Sequence, residues 1–364
     1  ILRLLELGVA SVHAFDVRRS DLLSRDPRVL FFGGDIRCVE DLQKAAEGCD
    51  CVFHIASFGM SGREMLQKKL ILDVNVQGTA HVLRVCRDSG IKRLVYTSTT
   101  NVIFCGRPIH GGDESLPYAD VQDMVDPYSQ TKRIAEDMVL KANNGDSLRT
   151  CALRPAGIYG EGEERHFPRA MALAKKGLYQ FTVGDPDTLV EFVHVDNLVH
   201  AHILAAVGLR KGAAVCGQPY FISDCHPVNN FVLFTAAANA LGHPTPRLNL
   251  PVWLMYMVAV IIEFLHWMLS SVVDFQPLLT RAEVLKVGVT HFFDPRKPRE
   301  ELGYYPIVSF EEGKARLVRY FSGPGGDPFR RSPQQNSLAA FIWELSSVLI
   351  LVALPFATAA LFSG

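Results

Sequence analysis

The chain has 364 residues, of which 48% are hydrophobic, enough to bury a sizeable core and too apolar for a disordered protein. With 37 basic against 38 acidic residues and a formal charge of -1, it lacks the positive field that a nucleic-acid backbone requires, which argues against nucleic acid as a partner. The eight cysteines form no CxxC and no ligand pairing with histidine, so no metal site is predicted; they read as reduced core thiols in a cytosolic compartment.

Arg3 and Glu6 interrupt the apolar residues of the N-terminus at once, and no signal peptide is read there. Through residue 160, short apolar β-branched runs alternate with helical patterns, the signature of parallel βαβ units. Strands are predicted at 12–16, 29–32, 51–56, 93–98 and 150–154, and helices at 39–47, 72–89 and 127–143. No internal repeat is visible.

Open α/β sheets present ligands at the C-terminal ends of their strands, and several of these ends carry suitable residues. Asp16 closes the first predicted strand, where a carboxylate can accept both ribose hydroxyls of NAD and would repel a 2′-phosphate; Arg18 and Arg19 blur that preference and leave NADP open. Asp35 and Ile36 follow the next strand and could frame an adenine ring. Ala56 and Ser57 follow the one after and could let a ribose approach closely. Each is by itself an ordinary loop residue; the recurrence at successive strand ends carries the inference.

Tyr96-Thr97-Ser98-Thr99-Thr100 is a hydroxyl cluster at the end of an apolar strand, where Thr99 or Ser98 could bond a substrate oxygen; turn-forming residues are the plainer reading. Tyr128 and Lys132 stand four apart just after Pro127, a residue suited to the first turn of a helix, which puts both side chains on one helix face. A phenol is a poor base at neutral pH, and a neighbouring ammonium favours its phenolate, so the pair could move a proton to or from a substrate hydroxyl. The plainer reading is a helix-surface pair. Pro155, in the run Arg154 to Gly160, fixes the chain direction beyond the last strand, where a nicotinamide could rest beside Ile158.

Beyond residue 160 the regularity fades, and residues 161–323 read as the substrate-binding region behind a dinucleotide-binding region at 1–160. His194 is tempting as an acid/base, but a packed structural histidine is the preferred reading. Residues 250–273 are strongly apolar, with Glu263 and His266 near the middle, and three readings stay open: a monotopic helix, a lid over a greasy substrate, or a membrane span. Residues 324–337 read as a linker. Residues 338–362, apolar but for Glu344, are predicted to be a transmembrane anchor able to cross about 30 Å of hydrocarbon. Arg330 and Arg331 precede it, which places the main domain in the cytosol.

The segments GDIR, CVFHIAS, DVNVQGT, RLVYTST, YSQTK, LRPAGIYG and VEFVHVDNLVHAH follow one another in an order that resembles the extended short-chain dehydrogenase/reductases. More narrowly, HIASFGMSGRE, ALRPAGIYG and QPYFISD resemble family 42E, related to the 3β-hydroxysteroid dehydrogenase/Δ5-4 isomerases. The resemblance implies a Rossmann-like doubly wound α/β fold and an NAD(P)-dependent oxidoreductase of a steroid or other lipid alcohol. It also implies a protein bound to the endoplasmic reticulum membrane, with a homodimer left open. It implies Tyr128 as acid/base, Lys132 as its partner and nicotinamide-ribose ligand, Thr99 as the hydroxyl that binds substrate oxygen, and Asn75 as the family's helix asparagine. The family opens with a strand and a GxxGxxG turn; this sequence opens at Ile1 to Gly8 with what looks like the helix after that turn, so the expected sheet lacks its first strand. Two alternatives remain: a nucleotide-sugar epimerase or dehydratase, which the membrane-seeking segments oppose, and a non-catalytic membrane protein that has lost cofactor binding.

Overall fold

The computed structural model describes residues 1–19, 25–60, 62–124, 126–175, 177, 179–269 and 279–323. The predicted linker at 324–337 and anchor at 338–362 lie outside the described residues, as do 270–273 of the other apolar run.

The first half runs α1 (Leu2–Glu6), β1 (Val12–Asp16), β2 (Val29–Gly33), α2 (Val39–Ala46), β3 (Cys51–His54), α3 (Lys68–Leu72), α4 (Gly78–Asp88), β4 (Arg93–Thr97), β5 (Ile109–Gly112), α5 (Pro127–Lys141), β6 (Arg149–Pro155) and β7 (Gly157–Tyr159). The second half runs α6 (Phe167–Lys175), β8 (Phe181–Val183), β9 (Phe192–His194), α7 (Val195–Gly208), β10 (Pro219–Ile222), α8 (Phe231–Ala240), β11 (Leu248–Leu250), α9 (Val252–Leu269), α10 (Arg281–Gly288), β12 (His291–Phe293) and α11 (Phe310–Ser322).

The main sheet is parallel, in the order β10-β6-β4-β3. Its central strands are buried on both faces, as parallel strands covered by helices must be. On one face Leu94, Tyr96 and Ala152 pack with Val82, Leu83 and Cys86 of α4 and with Ala135 and Val139 of α5. On the other, Val95, Cys151 and Leu153 meet Ala201 and Ala205 of α7. β1 and β2 form a separate parallel pair, and among the described residues no ladder joins β1 to β3.

Three differences from the sequence reading have local causes. The single helix predicted at 72–89 is interrupted: α3 passes through a π-helical turn, Asp73–Gln77, before α4 begins at Gly78. The packing is tight at that junction, because a Cβ on Gly78 would sit 2.8 Å from the Ile36 side chain. Pro155 ends the main ladder, and β7 leaves the sheet to pair with β9. The cysteines are all unpaired; Cys86 and Cys151 are fully buried and Cys49, Cys51 and Cys216 are half-buried against the core, but Cys38 stands at the N-cap of α2 rather than in the core.

Among the described residues α9 is the helix long and apolar enough to cross a membrane. Met255, Ala259 and Ile262 form its buried stripe, of which Met255 and Ala259 pack with Val183, Leu250 and Val284. The opposite side exposes Trp253, Met257, Ile261, Phe264, Trp267 and Met268. Glu263 does not join that face: its carboxylate accepts the Arg281 backbone N–H and guanidinium, each at 2.8 Å, which ties α9 to the start of α10.

Candidate active site

The N-terminus of α5 is built from local chemistry. Asp126 is extended, and its carboxylate accepts the Ser129 backbone N–H at 2.7 Å and the Ser129 hydroxyl at 2.8 Å, while Pro127 supplies a fixed φ at the first turn. Tyr128 and Lys132 follow on one face, and both are buried. A surface pair is therefore excluded. Lys132 Nζ donates to the Thr97 carbonyl at 2.5 Å and lies 4.2 Å from the centre of the Tyr96 ring, so α5 is fastened to the end of β4.

Burial sets the protonation behaviour of the pair. It pushes the Tyr128 phenol up to about 12, helped by the negative charge of Asp126; the Arg165 guanidinium and a hydrogen bond to Ser57 pull the other way. It lowers the Lys132 ammonium to about 7, with the Glu136 carboxylate, one turn further along α5, opposing. His54, buried beneath the site, is lowered to about 3 by desolvation and then by Lys132, and is neutral.

Asn75 lies in the π-helical turn and is held from three directions. Its Oδ1 accepts the Phe58 N–H at 2.8 Å, and its Nδ2 donates to the Phe58 carbonyl at 2.9 Å and to the Thr131 hydroxyl at 3.0 Å. Thr79 donates to the Asn75 carbonyl at 2.6 Å and is in turn 2.8 Å from His54 Nε2. The π turn, α5 and the chain after β3 are thus joined behind Tyr128.

The hydroxyls at the end of β4 divide their roles. Thr99 Oγ1 accepts the Asn101 N–H at 3.2 Å and caps a short 3-10 turn, Thr100–Val102. Ser98 Oγ is buried with no hydrogen-bond partner among the described residues. A buried hydroxyl left unsatisfied is costly in a folded chain, so this one is suited to a ligand.

The other strand ends present a mixed set. Asp16 is exposed, its Oδ1 accepting only the Arg18 N–H at 3.1 Å among the described hydrogen bonds, while Arg19 lies over the Phe31 ring. Asp35 is engaged by Arg37 through Nε at 3.0 Å and Nη2 at 2.6 Å, which holds its carboxyl below the usual range, and Ile36 is buried against α4. Those two offer a wall and backbone groups rather than a free carboxylate. Ala56 is exposed, as is Ile158, and Pro155 lies between β6 and β7. The set fits a dinucleotide: an open carboxylate at Asp16, a small exposed side chain at Ala56 and an apolar contact at Ile158.

His194 is a structural histidine. It is fully buried, its Nδ1 accepts the Asp196 N–H at 3.2 Å at the N-cap of α7, and its Nε2 faces Glu161 at 3.3 Å. Sequence reasoning missed other members of the site. The helix cap at Asp126 was legible from Asp-Pro at a predicted helix start. Thr131, His54 and Arg165 had no such signal, and neither did the buried ion pair in which Arg154 Nη2 donates to Glu136 at 2.7 Å.

Comparison with known proteins places this arrangement. The 3-beta hydroxysteroid dehydrogenase/isomerase family matches residues 1–252. Short-chain dehydrogenase/reductase family 42E member 1 from Homo sapiens is 50% identical over 334 residues, 89% of this chain and 84% of that protein. Sterol-4-alpha-carboxylate 3-dehydrogenase, decarboxylating, from Mus musculus is 34% identical over 320 residues, 88% of this chain and 86% of that protein. In fold, the chain matches dTDP-glucose 4,6-dehydratase from Streptomyces venezuelae, solved with NAD and TYD bound, with a TM-score of 0.66 at 24% identity over 88% of this chain and 92% of that one. With this family match and buried site together, the chain belongs to the 3-beta hydroxysteroid dehydrogenase/isomerase family and is an NAD-dependent oxidoreductase acting on CH–OH groups.

Proposed function

We propose that the chain is a membrane-bound dehydrogenase of a steroid or sterol secondary alcohol, with Tyr128 as the acid/base. The observation that carries this reading is the burial of Tyr128 on a helix that Lys132 fastens to the end of β4, where the Ser98 hydroxyl is left without a partner among the described residues.

Bound NAD supplies the hydride acceptor. The protein's part is proton handling and orientation. In oxidation the Tyr128 phenolate takes the substrate hydroxyl proton as the O–H bond breaks, the carbinol C–H leaves as hydride to the acceptor, and the C=O forms. Ser98 and Thr99 are the hydroxyls available to hold the substrate oxygen at the end of β4. Lys132, held by Thr97, favours the phenolate and reaches toward the cofactor ribose. Asp16, Asp35, Ile36, Ala56, Pro155 and Ile158 line the cofactor's course along the strand ends. With its phenol near 12, Tyr128 is a ready proton donor at neutral pH and a base only when cations oppose that shift.

Two features support a lipid substrate and a membrane site: the exposed apolar face of α9, and the activity named for the mouse relative. Of the readings for residues 250–273, the monotopic one accounts best for the pattern, because Glu263 is turned to Arg281 while both tryptophans face outward. The catalytic region then faces the cytosol at the endoplasmic reticulum surface. The test is a panel of 3β-hydroxysteroids and sterols with NAD and the full-length native protein in detergent, followed at the NADH absorbance band. Turnover that Tyr128→Phe abolishes supports the reading; turnover of sugar nucleotides with none of sterols contradicts it.

A further inference from the structure

The N-cap of the catalytic helix is completed from far along the chain. Lys286 of α10 places its Nζ 3.3 Å from Asp126 Oδ2, across 160 positions of sequence. Asp126 is 4% exposed, two residues before Tyr128, and its remaining hydrogen bonds are the two from Ser129. Neither serine group carries charge, so Lys286 is the cation that faces this carboxylate among the described residues.

Lys286 is held in place rather than free to roam. α10 starts with a reciprocal capping box between Thr280 and Glu283. Glu283 also accepts Arg169 of α6 at 2.8 Å, and Arg281 is bound to Glu263 of α9. Glu283 and Lys286, three apart on one face of α10, thus tie that helix to α6 and to the start of α5 respectively.

An uncompensated carboxylate so close to a buried phenol opposes formation of the phenolate, because like charges in a desolvated site repel strongly. We propose that Lys286 is a positioning residue for this reaction, acting through Asp126: it neutralises that carboxylate and fixes the N-cap, so that Tyr128 can take the substrate proton. The inference rests on Tyr128 as acid/base. The other charged or titratable groups around Tyr128 are Lys132 on its own helix, Arg165 from the loop after β7, and Tyr96 of β4; Lys286 in turn acts on His291 of β12 and on His166, which also feels Glu163, Glu283 and Arg169. None of these pairs with Asp126 in place of Lys286.

The experiment is the pH–rate profile for alcohol oxidation by the full-length enzyme and its variants Lys286→Met, Lys286→Arg, Asp126→Asn and the Asp126→Asn/Lys286→Met double variant. Asparagine is itself a good N-cap, so Asp126→Asn keeps the helix start while removing the charge. Lys286→Met is expected to move the rising limb up by about one pH unit and to lower neutral-pH kcat about tenfold, leaving the KM for NAD unchanged. Lys286→Arg restores the profile, and so does the double variant, because both charges are then gone. A merely structural role predicts the opposite for the double variant, with damage at least as large as in Lys286→Met. A Lys286→Met profile that superimposes on the wild type overturns the proposal, as does a double variant no better than Lys286→Met. Tyr128→Phe, run in parallel, separates the two levels: if it keeps full oxidation, the acid/base assignment itself is wrong.

Discussion

Lys132 Nζ donates to the Thr97 carbonyl, and this bond joins α5 to the strand end that carries Ser98 and Thr99. The lysine has no carboxylate within ion-pair distance among the described residues, and its ammonium is lowered to about 7 from the ordinary 10.5 because burial penalises the charge. Between roughly pH 7 and 10.5 the unfolded chain holds a proton that the folded chain has released, so stability rises with pH through that window. Below it both states are charged and the full penalty is present. Lys132→Met is therefore expected to abolish activity yet stabilise the fold by roughly 1–3 kcal/mol below pH 7, after the lost Thr97 bond and Tyr96 contact are offset. That gain shrinks as pH approaches 10.5. Thermal melts at pH 6 and pH 9.5 check this; a variant less stable than wild type at pH 6 contradicts it.

Glu191 shows the same physics with the opposite sign. Burial pushes its carboxyl up to about 7, against hydrogen bonds from Ser223 and the Phe293 N–H. Between about pH 4.5 and 7 the folded chain keeps a proton that the unfolded chain gives up, so stability falls as pH rises through that window. Glu191→Gln should raise stability by about 1–2 kcal/mol at pH 8 and change it little at pH 4. Denaturant titrations at the two pH values decide the matter, and equal effects at both would contradict the assignment.

The Arg154–Glu136 pair is almost wholly buried, with Tyr118 donating to the same carboxylate at 2.7 Å. Removing one partner leaves an uncompensated charge in the core. Glu136→Gln is expected to cost about 3–5 kcal/mol, enough to unfold a marginal domain. A urea midpoint within error of wild type would show that the pair is dispensable.

The outward face of α9 predicts where two of the three tryptophans lie. Trp253 is 68% exposed and Trp267 73%, an arrangement suited to the interfacial layer of a bilayer. In a Trp343→Phe background, reconstituted protein should show quenching of the remaining fluorescence by lipids brominated near the headgroup. Quenching equal to that of free tryptophan in water would remove α9 from the membrane.

The parallel half of the fold was legible because its signals are local. β1 and β2 begin at the residues that the apolar runs picked out, and α5 begins at Pro127, the residue suited to its first turn. The π turn at Asn75 was not legible, since no Gly or Pro lies within 73–77 and Gly78 comes only after the turn, where a helix tolerates it. Residues 161–323 were harder, because β8, β9, β11 and β12 are three-residue strands too short for a period to show. Tyr128 and Lys132 were singled out by their spacing after Pro127, but only the family resemblance gave them a role. Lys286 was not, because only the tertiary fold brings α10 to Asp126.

The central claim is that Tyr128 moves the proton while Lys132 and the strand ends hold the cofactor. Its most direct test is NADH affinity by calorimetry, paired with single-turnover hydride transfer, on the full-length native protein and its Tyr128→Phe variant. The account predicts cofactor binding within about twofold of wild type and hydride transfer slowed at least a hundredfold, the range of general acid–base catalysis. Hydride transfer at the wild-type rate by Tyr128→Phe would contradict it.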